Sequence, residues 1–235
     1  GAHRAATAQV TLAVARSEAL EALARDEGVT TLVPWLAVWG AALLRATGRR
    51  EVVVGVPSSG RGEAESAALV GYLVNLVPVR VRLDGATSFR AWVRHVDAAA
   101  RDALAHAALP FAHIIEAAQV ARDPSRAPLC GAWFNLLRAS GGSALAAVAT
   151  GVGEPATWAD GLTVAPFPLE ACGAQTDLAL DVFDLRGVFH VRLTWDRDLF
   201  DDATGRRLLA DVDALLGDAL AAPDAPVATL LAPSP

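Results

Sequence analysis

The 235 residues contain no lysine and no methionine, one tyrosine (Tyr72) and two cysteines (Cys130 and Cys172). Two cysteines are too few for a disulfide framework. The histidines, His3, His95, His106, His113 and His190, are not paired at helical metal spacing, so no zinc site is expected. Gly-x-Ser-x-Gly, His-Glu-x-x-His and Cys-x-x-Cys are all missing. Every basic residue is an arginine, and the net charge of −6 offers no global attraction to nucleic acid or to an anionic membrane. No apolar run reaches the ~18 residues of a membrane span. The longest, Leu32 to Leu44, is interrupted by Pro34 and Gly40 and reads as a buried helix. With no signal peptide visible, a cytoplasmic location is expected. The opening Gly1-Ala2-His3 without methionine reads as a cleavage scar or linker over residues 1–8, ahead of an excised piece.

What is present is a foldable core. The hydrophobic fraction is 53% against 20% charged, which excludes intrinsic disorder. A chain this long buries roughly 70–75% of its unfolded surface without a staple. Gln9 to Ala15 reads as a strand, and Ser17 as the N-cap of a helix that Gly28 stops. A second helix, apolar all round and therefore buried, runs from Thr30 or Thr31 to Gly48. Glu51 to Val56 is a strand buried on both faces. Val77 to Leu83 alternates, and Pro78, having no N–H, belongs at an edge or a bulge. Thr87 or Ser88 caps a helix with the stripe Phe89, Trp92, Val93, Val96 and Ala100, and a short helix follows from Pro110 to Gln119. Ala132 to Leu137 is strand-like. Ser140 to Gly173 is glycine-rich and poorly periodic, long for a structureless loop. Leu178 to Val182 and Phe189 to Trp195 form a hairpin about Arg186-Gly187 with one wet face, where His190, Arg192 and Thr194 alternate with the apolar residues, and Asp201 caps a last helix. The proline-rich 221–235 reads as a linker. The order describes an α/β (α+β) domain over 9–220, a mixed β-sheet flanked by helices, without internal repeats.

Four stretches are unusual for plain core or surface: Val54-Gly55-Val56-Pro57-Ser58-Ser59-Gly60-Arg61, Gly71-Tyr72-Leu73-Val74-Asn75, His106-Ala107-Ala108-Leu109-Pro110-Phe111, and Arg122-Asp123-Pro124-Ser125-Arg126-Ala127-Pro128-Leu129. In this order they resemble four motifs of the condensation domains of nonribosomal peptide synthetases, relatives of the chloramphenicol acetyltransferase-like acyltransferases. These motifs are Val-Gly-x-Pro-x-x-Gly-Arg, Gly-x-x-Val-Asn-x closing with an arginine (here Arg80), His-Gln-x-x-Pro-Phe, and Arg-Asp-x-Ser-Arg-x-Pro-Leu. Phe134-Asn135-Leu136 and Asp198-Leu199-Phe200-Asp201 also fit. Leu76, the pair Ala107-Ala108, and Cys130 depart from the usual threonine, Gln-Asp and phenylalanine. The family's catalytic His-His-x-x-x-Asp-Gly has no counterpart: no two histidines are adjacent, and no histidine has an aspartate four residues on.

The resemblance therefore implies the C-terminal lobe of a condensation domain, with no catalytic residue of its own. In the family, a carrier-bound acceptor amine attacks a carrier-bound donor thioester. Both substrates ride on phosphopantetheine arms, and no cofactor is bound directly. The implied partners are the N-terminal lobe and the donor and acceptor carrier proteins, with self-association through an exposed inter-lobe face when that lobe is missing. The resemblance places Asn75, Gly55, Arg61 and Tyr72 at the substrate tunnel and gives structural roles to His106, Pro110, Phe111, Asp123, Ser125 and Arg126. Plainer readings stand beside these. Asn75 ties down a neighbouring loop, Arg61 is a surface arginine or makes a structural ion pair, His106 is satisfied at a helix end, Pro110 and Phe111 fix the helix junction and pack the core, and Asp123 pairs with Arg126. The isolated lobe is expected to be catalytically silent. The alternatives are a non-catalytic condensation-like domain that recruits a carrier protein or tailoring enzyme, and a free-standing acyltransferase.

Overall fold

A computed structural model describes residues 4–61, 68–83, 88–120, 123, 126–138, 151, 155–167 and 173–232. Strands β1 (Ala5–Thr11), β2 (Glu51–Ser58), β3 (Asn75–Arg82), β4 (Ala132–Arg138), β7 (Leu178–Leu185) and β8 (Val188–Asp196) form one mixed sheet in the order β1-β8-β7-β4-β2-β3. The pair β5 (Ala156–Ala159) and β6 (Leu162–Val164) makes a separate small hairpin. The helices are α1 (Val14–Asp26), α2 (Leu32–Thr47), α3 (Phe89–Ala105), α4 (Phe111–Ala117), α5 (Asp202–Ala221) and α6 (Val227–Leu230).

The alternation read from the sequence sorts the sheet into two faces. Val54, Val79, Phe134, Leu180, Leu193 and Trp195 are fully buried in one core with α1, α2, α3 and α5. The α2 helix lies at its centre, buried continuously from Val33 to Leu44. Gly40 lets it approach β3: a Cβ there would sit 2.7 Å from Val81 Cγ1. Trp35 meets the Phe189 ring edge-on at 5.7 Å. The opposite face carries Gln9, Thr11, Asp181, His190, Arg192 and Arg80, none of them buried. Pro78 lies on β3, which is an edge strand as expected.

Several local expectations need correction. The first helix starts at Val14, not at Ser17, and Ala13 supplies no side-chain cap. Ser17 is fully buried, and its Oγ accepts the Phe189 N–H at 3.3 Å. The Phe189 carbonyl accepts Leu12 N–H on that same side, where β1 has ended, so no strand is left to take the Phe189 N–H. Ser17 fills that gap. Strand pairing begins at Ala5, four residues before Gln9. Residues 156–164 form a hairpin inside the stretch read as a loop, while most of 140–173, with Cys172, lies outside the described residues. Within 221–235, Val227 and Leu230 are buried against the core.

Candidate functional site

Three of the four singled-out stretches meet at one corner of the sheet. Asn75 opens β3 opposite Ser58, the last residue of β2. Its Nδ2 donates to the carbonyls of Ala107 at 2.9 Å and Leu109 at 2.8 Å, and its Oδ1 accepts the Phe111 N–H at 3.0 Å. Both amide hydrogens are thereby taken up by the turn between α3 and α4. No isostere keeps this set: aspartate loses the donors, and leucine strands all three backbone groups. Asn75 thus clamps the connection that carries His106, Pro110 and Phe111.

Arg61 performs a similar task for the next loop. Its guanidinium donates to the Leu69 carbonyl at 2.7 Å and the Gly71 carbonyl at 3.3 Å. Two loops are thus pinned by side chains from the ends of β2 and β3. The loop Arg61 holds is apolar and projects into solvent: Tyr72 is 88% exposed, and Leu69, Val70 and Val74 are exposed with it. Gly55 lies deeper, where a Cβ would meet Trp133 Cδ1 at 2.9 Å and Leu76 Cδ1 at 3.1 Å. Its role is to leave room for those two side chains.

His106 terminates α3, and its Nδ1 lies 2.9 Å from the Asp102 carbonyl of its own helix. Pro110 is exposed and Phe111 only half-buried, so they shape the junction instead of packing the core. Pro110 precedes the first residue of α4 and donates nothing, as the free end of a helix permits.

The fourth stretch lies elsewhere. Its guanidinium, Arg126, reaches not Asp123 but Asp177, at 2.8 Å, just before β7. Arg126 N–H donates to the Asp123 carbonyl at 3.2 Å. Arg122 and Ser125 lie outside the described residues. Asp177 is buried and packs beside Gly131, where a Cβ would stand 2.8 Å from its Oδ2. Thr176 Oγ1 donates to the Gly131 carbonyl at 3.0 Å. Cys130 is fully buried here, and burial pushes its thiol up to about 12, so it is an inert thiol.

The wet face of the hairpin carries a row of interacting polar side chains, on the sheet side opposite the helices, that the sequence did not single out as a site. Arg192 stacks 4.7 Å over the Phe183 ring and reaches Asp181 at 3.4 Å. His190, opposite Phe183 across the β7–β8 pair, has Nδ1 2.9 Å from Thr11 Oγ1. Burial holds this imidazole below its usual range. The signal was in the hairpin: Asp181, His190 and Arg192 all occupy the alternate positions left out of the core. Among the described residues, no three His, Cys, Asp or Glu side chains are grouped to hold a metal ion.

Comparison with known proteins adds the following. The family model for the condensation domain matches residues 2–235. Tyrocidine synthase 3 of Brevibacillus parabrevis is 33% identical over 213 residues, 91% of this chain and 3% of that protein. The N-(5-amino-5-carboxypentanoyl)-L-cysteinyl-D-valine synthase of Amycolatopsis lactamdurans is 34% identical over 218 residues, 92% of this chain and 6% of that protein. The chain therefore spans a small fraction of these relatives. Among solved structures, holo-AB3403, a four-domain nonribosomal peptide synthetase bound to AMP and glycine, superposes with a TM-score of 0.91 at 23% identity. That match covers 99% of this chain and 18% of the other. The first condensation domain of the CDA synthetase gives 0.74 at 22% identity, covering 96% and 47%. The X-domain in complex with OxyB from teicoplanin biosynthesis gives 0.81 at 20% identity, covering 99% and 49%.

Proposed function

Because the chain belongs to the condensation-domain family, we propose that it is the C-terminal half of a domain that forms amide bonds in nonribosomal peptide synthesis. The acceptor amine nitrogen bonds to the donor thioester carbonyl, the C–S bond breaks, and the amine proton must leave. Such a step needs a proton-accepting or positioning group at the amine and donors for the oxyanion. The histidine signature that supplies this in the family would come from the N-terminal half. This half contributes one wall of the channel in which the two carrier-bound phosphopantetheine arms meet. Asn75 and Arg61 act as positioning residues that hold the α3–α4 turn and the 69–74 loop in register with that wall.

The observation that carries the reading is the coverage. Nearly all of this chain corresponds to just under half of a solved condensation domain, and the apolar 69–74 loop stands exposed where a larger body would cover it. The test is amide formation from carrier-bound donor and acceptor, by the chain alone and joined to an N-terminal half bearing His-His-x-x-x-Asp-Gly. Product from the joined domain only is expected. Product from the chain alone, or none from the joined domain, overturns the reading.

One observation favours a second reading. The X-domain seen in complex with OxyB superposes on this chain better than the CDA synthetase condensation domain does. A domain of this lineage that recruits a tailoring enzyme would give no amide product from the joined form, yet would hold that enzyme in a stable complex.

A further inference from the structure

A cleft of about 1060 Å³ opens where α2 ends, where β2, β4 and β7 begin and where α5 starts. It is remote from the Asn75 corner, since it takes in the first residues of β2 whereas Asn75 pairs with the last. Its floor is apolar, with Leu43, Leu178 and Phe200. Its polar wall holds five arginines, Arg45, Arg49, Arg50, Arg126 and Arg207, against three carboxylates, Glu51, Asp177 and Asp211.

All three carboxylates are committed. Asp211 pairs with Arg45 at 2.8 Å and Asp177 with Arg126 at 2.8 Å. Glu51 is held by Arg80 at 2.6 Å and Arg82 at 3.6 Å, from the strand beside it. Among the described residues, the guanidinium groups of Arg49, Arg50 and Arg207 are left with no ion pair or hydrogen bond. The electrostatic neighbour of Arg207 is Asp201, already engaged in accepting the Thr204 N–H. Besides these three, only Arg186 and Arg206 among the described arginines lack an acceptor. In a molecule of net charge −6 that pairs fourteen of its nineteen described arginines, three of the five unpaired guanidiniums share the wall of one cleft.

We propose that this cleft binds an amphiphilic phosphate, with a phosphate or diphosphate head on Arg49, Arg50 and Arg207 and an apolar body against Leu43, Leu178 and Phe200. Guanidinium forks match phosphate oxygens in bidentate pairs. Three of them balance a head carrying two or more charges better than a single carboxylate. The size is at the upper end of small-molecule sites, about 300–1,000 Å³, and leaves room for a body beyond the head. The site does not depend on the peptide-synthesis reading.

Calorimetric titration of the 235-residue chain with hexyl phosphate tests this, with inorganic phosphate, hexanoate, hexanol and a short oligoglutamate as comparators. Saturable binding of hexyl phosphate is expected, at least tenfold tighter than each comparator and weakened by salt. The triple variant Arg49→Gln/Arg50→Gln/Arg207→Gln should weaken it at least tenfold, while Arg186→Gln/Arg206→Gln leaves it unchanged. All five side chains are exposed, so both variants should unfold at the wild-type temperature. If the triple variant fails to fold, the salt dependence and the order of ligands on the native chain decide. Equal affinity for hexanol, equal loss in both variants, no saturable binding, or tighter binding of oligoglutamate would overturn the proposal.

Discussion

Ser17 illustrates how one hydroxyl can be drawn to either of two orphan N–H groups. Upstream of a helical pattern it reads as a cap, since a serine oxygen satisfies a free amide of the first turn. In the fold it lies one turn inside α1, serving Phe189 N–H across the sheet edge. A buried amide without an acceptor is the costlier defect. Ser17→Ala should therefore destabilise the chain by about 1–3 kcal/mol, read from the denaturant midpoint. A helix-cap role alone would have left the fully buried Phe189 amide unaffected. Asn75 teaches the same lesson: its place in a motif was legible, but the three backbone partners come from 32 to 36 residues further along.

At the scale of the element, α5 shows which local preferences survive packing. Gly205 sits in its first turn, where alanine would ordinarily be favoured by about 1 kcal/mol. A Cβ there would stand 2.5 Å from Trp195 Cε2, against the rigid face of an indole. Overpacking of this kind costs typically ~1–3 kcal/mol, so the clash decides the sign and Gly205→Ala should lower the melting temperature. The cap at Asp201 gives a pH test. Its carboxylate accepts the Thr204 N–H, and that bond holds its pKa below the usual carboxylate range. A depressed folded pKa means the contribution is complete above the unfolded value near 3.9 and is lost as pH falls through the folded one. Asp201→Asn should flatten that acid arm of the stability–pH curve; an unchanged arm would remove Asp201 from the account.

For the whole molecule, the feature that bears on association is exposed apolar surface. Leu69, Val70, Tyr72 and Val74 project together from one loop, which Arg61 holds in place. Contiguous apolar surface of this sort drives association. Light scattering should show a mass that rises with concentration, and Val70→Asp with Tyr72→Asp should return the chain toward monomer. A strictly monomeric wild type at high concentration would count against the exposed loop as an association surface.

The sequence by itself determined the class of fold, the central buried α2, the β7–β8 hairpin, the Asp201 cap and the family. Each of these rests on periodicity, capping chemistry or contiguous motifs, which are written locally. It also singled out the stretches that hold Asn75, Gly55 and Arg61. Only the tertiary structure decided their partners. Arg126 turning to Asp177 instead of Asp123, Asn75 clamping a distant turn, and three unpaired arginines meeting in one cleft all depend on which strands pair and in which register. Those pairings are long-range outcomes of burying a common core, and no local pattern encodes which polar groups they leave facing one another.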